Sequence, residues 1–139
     1  MEKQLAEKIA KRERIFHLGF KNQAEVRDFY HAADLLFVPS EYETWGLVVN
    51  EAFACGLPAL VTDTCGVAGD LVIPNETGFV FPMGKVDVAA ALVKRLLSSK
   101  EDHAKLSRNA VEKIQSQYHV DQFADSILEA FGKAIRIVS

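Results

Sequence analysis

Excess positive charge is the first thing this sequence lacks. Sixteen basic residues stand against 19 acidic ones, a formal charge of −3, so there is no basic stripe of the kind nucleic-acid binding requires. No apolar run approaches the ~18 residues of a membrane-spanning helix. The opening residues, Met1-Glu2-Lys3-Gln4-Leu5, carry no hydrophobic signal core, which argues against secretion. Cysteine is scarce: Cys55 and Cys65 are too few for a disulfide framework or a four-ligand zinc site. Two unpaired thiols fit a reducing compartment, and a cytoplasmic location is expected. His17, His31, His103 and His119 show no ligand spacing, and Asp-x-Asp is absent, so no metal site is expected. Gly66-x-x-Gly69 is too short for the dinucleotide fingerprint, which disfavours a nicotinamide-dependent oxidoreductase. The sequon Asn75-Glu76-Thr77 has no secretory context and is read as chance. Repeats, low-complexity stretches and a Pro/Gly/Ser linker are all missing, so residues 1–139 form one domain.

What is present alternates. With 49% apolar and 25% charged residues, the composition is that of a globular chain. Helical spacing of Met1, Leu5 and Ile9 predicts a helix over 2–12, and Ile15–Leu18, closed by Gly19, reads as a strand. Asn22 and Glu25 have the form of a capping box, opening a helix that carries Val26, Phe29, Tyr30 and Ala33 inward. Leu35–Val38, stopped by Pro39, reads as a strand buried on both faces. A helix over 47–54, a strand over 58–62, a loop over 63–70 and a strand over 78–81 follow. Three helices close the chain. The first covers about 86–98 with Val88, Leu92 and Leu96 aligned. The second starts after Ser99 and aligns Leu106, Ala110, Ile114 and Tyr118. The last aligns Phe123, Ile127 and Phe131. Unbroken apolar strands alternating with helices imply an α/β class, a Rossmann-like parallel sheet of about four strands with helical crossovers. Ligands of such sheets sit at the strands' carboxyl ends.

One segment concentrates chemistry: Pro39 to Asp63, PSEYETWGLVVNEAFACGLPALVTD. A buried strand ends at Val38, and a loop holding Glu43 leads into a helix near Gly46. Free N–H groups and the helix dipole there favour a phosphate, and the bare Gly46 backbone permits close approach. Asn50 and Glu51 interrupt an otherwise apolar helix. A carboxylate in that setting must be exposed, paired or hydrogen-bonded, and a ligand with hydroxyl donors would satisfy Glu51. Glu43 reads equally as a solvated loop acid, and Trp45 equally as core packing.

Glu43 and Glu51, separated by seven residues, resemble the E-x7-E arrangement of retaining nucleotide-sugar glycosyltransferases of family 4, which have the GT-B fold. The flanks are similar too: Pro39-Ser40, Trp45-Gly46-Leu47, and EAFACGLP from Glu51 to Pro58. So are LGF at Leu18–Phe20, ADLLFVPS at Ala33–Ser40 and ETGFVFP at Glu76–Pro82. The resemblance implies binding of a nucleotide-diphosphate sugar. Glu51 would accept ribose hydroxyls. Glu43 would bond donor-sugar hydroxyls and support charge at the anomeric carbon. Backbone near Trp45, Gly46 and Leu47 would hold the distal phosphate, and Gly19, Phe20 and Lys21 would border the base. No cofactor or metal is implied.

The chain also departs from that family. Nothing before Ile15 resembles the strand, Gly-Arg turn and Lys that bind the diphosphate, and an acceptor-binding N-terminal domain has no room. The chain is expected to be a partial C-terminal donor-binding domain, completed by a missing N-terminal domain or by another chain. The edge of strand 35–38 would be open, which invites self-association. The rival expectation is a non-catalytic module that holds a nucleotide or a partner chain.

Overall fold

A computed structural model describes residues 14–118. The helices expected over 2–12 and around Phe123, Ile127 and Phe131, together with His119, lie outside the described residues. Within them the order is α1 (Gln23–Ala32), β1 (Leu36–Val38), α2 (Leu47–Ala54), β2 (Ala59–Thr62), β3 (Gly78–Phe81), α3 (Val86–Ser98) and α4 (Lys100–Gln117). The strands form one parallel sheet with β2 in the middle. Phe37 stands opposite Leu60 in the register, and Leu60 opposite Phe79.

Alternation along β2 sorts the core into two layers. Ala59 and Val61 pack with Val49 and Phe53 of α2 and Ala110 of α4. Leu60 packs on the other face with Phe79, Phe81, Ala89 and Leu96, and with Leu106 near the start of α4. All four residues of β2 are buried, as its continuous apolar sequence requires. Helix starts follow their caps. Asn22 Oδ1 accepts the Glu25 N–H and Glu25 accepts the Asn22 N–H, each at 3.0 Å, which completes the capping box. The Ser99 hydroxyl accepts the Asp102 N–H at 3.1 Å and opens α4.

Four expectations change. Residues 15–18 make no ladder, so among the described residues the sheet has three strands rather than about four. A strand exists through pairing, and among the described residues nothing lies beside this segment to pair with it; Phe16 is accordingly 79% exposed. β1 is not buried on both faces. As an edge strand it has a neighbour on one side only among the described residues, and Phe37 is 47% exposed, its ring stacked on Phe81 at 5.6 Å. No residue of α1 is buried, because α2 is its principal neighbour and the sheet does not reach it. Val88, in the first turn of α3, is exposed, while Leu96 is buried.

Candidate functional site

Parallel strands bring the ends of β1, β2 and β3 to one edge, and two loops meet there. Thr62 and Thr64 hydroxyls both donate to the Ser40 carbonyl, at 2.6 and 2.8 Å. Backbone bonds join Gly66 N–H to the Glu43 carbonyl at 2.9 Å and Val67 N–H to the Trp45 carbonyl at 3.1 Å. The loops run so close that a Cβ on Gly66 would collide with the Thr44 carbonyl. The loop carrying Glu43 is therefore held along its length by the loop after β2.

Gly46 turns this loop into α2. Its φ of 103° lies in the left-handed region, where a residue with a Cβ is strained. No side chain caps the helix; the Val49 N–H turns back to the Gly46 carbonyl at 2.8 Å, and a helix start without a side-chain cap leaves its dipole and remaining N–H groups to other partners, an anion among them. Glu43 belongs to the same corner. A Cβ on Gly46 would lie 3.5 Å from Glu43 Cγ, and the Trp45 N–H makes a long 3.4 Å bond to Glu43 Oε1. Leu47 is exposed at the first position of the helix.

Glu51 lies four residues, about 6 Å, along α2 on the same face as Leu47. It is exposed and accepts a 3.0 Å bond from the Tyr30 hydroxyl of α1; no ion pair engages it among the described residues. A groove of 340 Å³ runs between the two helices, walled by Gln23, Arg27 and Tyr30 on one side and Glu51, Ala54 and Cys55 on the other. Burial, followed by the bond to Glu51, pushes the Tyr30 hydroxyl up to about 12. The edge thus holds two adjoining places rather than one bowl: the Glu43–Gly46 corner, and the groove with Glu51.

The remaining expected residues divide in role. Trp45 is half-buried in the core layer of α2. Its indole N–H donates to Asn50 at 2.9 Å, and its ring meets Tyr118, whose hydroxyl donates to Asp70 at 2.9 Å. The indole is packing, and Asn50 is in the helix to receive it. Gly19 has φ 65°, Phe20 is 96% exposed, and Lys21 pairs with Glu25 at 3.5 Å. These three lead straight into the end of α1 where Gln23 walls the groove. Two residues escape sequence reasoning. Tyr30 carries only the signature of an inward helix position. Gly66 sits in a fragment too short to be a motif, and only the loop-to-loop approach reveals its use.

The family model for "Glycosyl transferases group 1" matches residues 1–113. The chain is 34% identical over 107 residues to D-inositol 3-phosphate glycosyltransferase of Rhodococcus erythropolis, covering 77% of this chain and 24% of that protein. Sucrose-phosphate synthase of Thermosynechococcus elongatus superposes with a TM-score of 0.83 at 26% identity, over 98% of this chain and 34% of that one. Anabaena HepE, solved in complex with UDP, gives 0.84 at 25% identity, over 95% and 36%. The chain spans between 24% and 34% of the length of the curated relatives it matches.

Proposed function

The chain belongs to the glycosyl transferases group 1 family, and from that premise we propose that it binds the nucleotide-diphosphate sugar donor of a retaining glycosyl transfer. The observation that carries this reading is the continuity of the edge: an acidic loop residue, an uncapped helix start and an exposed carboxylate beside a groove, in that order. A nucleotide sugar has its parts in the same order. Its sugar would meet Glu43, its distal phosphate the N–H groups at Gly46 and Leu47, its ribose Glu51, and its base the Gly19–Lys21 segment. The UDP bound by the Anabaena relative supports a uridine nucleotide as the probe.

In the transfer itself, the bond between the anomeric carbon and the diphosphate oxygen breaks. The acceptor hydroxyl bonds that carbon from the same face, and its proton passes to the departing diphosphate. Glu43 supports positive charge at the anomeric carbon, and the α2 dipole supports the leaving group. The acceptor is held by a further domain or chain. No metal is required, and the reaction is assigned to the cytoplasm, where Cys55 and Cys65 stay reduced.

Titration calorimetry of the chain with UDP and UDP-glucose, with and without excess chelator, tests this. Binding that survives the chelator is expected; no binding, or strict dependence on Mg²⁺ or Mn²⁺, overturns it. A second reading, a module that holds a partner chain without transferring sugar, draws on exposed Phe16, Phe20 and Phe37.

A further inference from the structure

Glu51 is exposed, yet its side chain is not left to wander. The hydroxyl of Tyr30, 21 residues earlier and on another helix, reaches across the groove and donates to Oε2 at 3.0 Å. A carboxylate offers about four lone-pair sites, so this bond occupies one and leaves Oε1 open. Tyr30 is itself half-buried and turns on only two side-chain torsions, whereas a free glutamate loses much rotamer freedom when a ligand orders it. A second feature gives the bond a purpose. Arg27, one turn before Tyr30, walls the same groove as Glu51, and the two do not pair among the described residues. An unrestrained Glu51 would have a guanidinium within the same groove to swing toward, and such a pair would consume the lone pairs a ligand needs.

We propose that Tyr30 is the positioning residue of the site: its hydroxyl holds the Glu51 carboxylate turned from Arg27, with Oε1 presented to a vicinal diol of the bound nucleoside. This rests on the nucleotide-binding role of Glu51 proposed above. Tyr30 touches no ligand atom; it acts through Glu51. Its contribution therefore belongs to the ribose alone and vanishes when either the carboxylate or the diol is removed.

The test is calorimetry with UDP and with inorganic pyrophosphate on the full chain, on Tyr30→Phe, on Glu51→Ala and on the double variant. Tyr30→Phe is expected to weaken UDP binding about 5-fold, the size of one ordinary hydrogen bond, and to leave pyrophosphate binding unchanged. In the Glu51→Ala background, which has no acceptor for the Tyr30 hydroxyl, the same change should have no further effect. Arg27→Gln added to Tyr30→Phe should recover part of the lost affinity. Should Tyr30→Phe unfold, Tyr30→His, which keeps a donor, is expected to bind UDP better than Tyr30→Ala. UDP affinity untouched by Tyr30→Phe, or equal losses for UDP and pyrophosphate, overturns the positioning role while the assignment of Glu51 stands. An unaltered chain that fails to bind UDP removes that assignment and the positioning role with it.

Discussion

Glu43 and Glu51 are chemically identical and differently placed, and placement divides the roles proposed for them. Glu43 lies against Gly46 at the helix start, whereas Glu51 hangs over a groove one turn on. Glu51→Ala should weaken nucleoside diphosphate binding by about 1.5–3 kcal/mol, the range for bonds to a charged group. Glu43→Ala should leave the free diphosphate bound and weaken only the sugar-bearing donor; equal losses for both ligands in both variants would dissolve the division. The tyrosines supply a pH prediction. Burial first, and then bonds to Glu51 and Asp70, raise Tyr30 and Tyr118 from 10.0 to about 12. The folded state thus holds these protons more tightly than the unfolded one. Their contribution to stability is complete below pH 10.0 and is lost as pH rises through about 12. Unfolding midpoints should fall across that window, and phenolate absorbance should show both groups ionising late. A midpoint flat through the window would contradict the two hydrogen bonds.

Between elements, the decisive contact is loop against loop. The segment from Glu41 to Gly46 has too few residues to hold its own shape, and its backbone bonds to residues 66 and 67 do so instead. Gly66 permits that approach because a side chain would meet the Thr44 carbonyl, which is backbone and cannot rotate away. Gly66→Ala should therefore cost about 1–3 kcal/mol of stability, as overpacking does, and should displace Glu43 as well. A urea midpoint equal to that of the unaltered chain, with donor binding intact, would show that the loops can part without consequence. Helix α1 matters for a different reason. Its capping box fixes where it begins, and its face supplies one wall of the groove although none of its residues is buried.

At the scale of the whole molecule, a sheet of three strands among the described residues carries the edge proposed to bind the donor, while the chain spans only 24% to 34% of its curated relatives. The 139-residue chain is expected to bind a donor but not to transfer sugar by itself. Positioning an acceptor against the anomeric carbon is worth ~7–11 kcal/mol of barrier, and no described element stands opposite the donor edge to provide it. A coupled assay with purified chain and UDP-glucose should show slow hydrolysis at most; acceptor-dependent turnover by a monomer would refute this. The edge of β1, unpaired among the described residues, and the exposed Phe16 and Phe37 are a pairing hazard. Light scattering should report self-association, and a strict monomer at high concentration would show that the edge is protected.

Local patterns in the sequence determined what local physics governs. The 3.6-residue spacing set α3 and α4, an almost wholly apolar stretch set α2, the apolar runs set β2 and β3, and the Asn22–Glu25 pair set the start of α1. The string from Pro39 to Asp63 marked the acidic loop, the glycine turn and the buried helix, because each needs particular residue types in a row. Tertiary structure decided what depends on neighbours. An apolar tetrapeptide at 15–18 is a strand only if another strand lies beside it, and Phe37 is buried only if something covers the edge. The bond from Tyr30 to Glu51 and the fit of Gly66 beneath Thr44 join residues more than twenty apart in the chain. No periodicity records such contacts, because they come into being only when the helices and loops are packed.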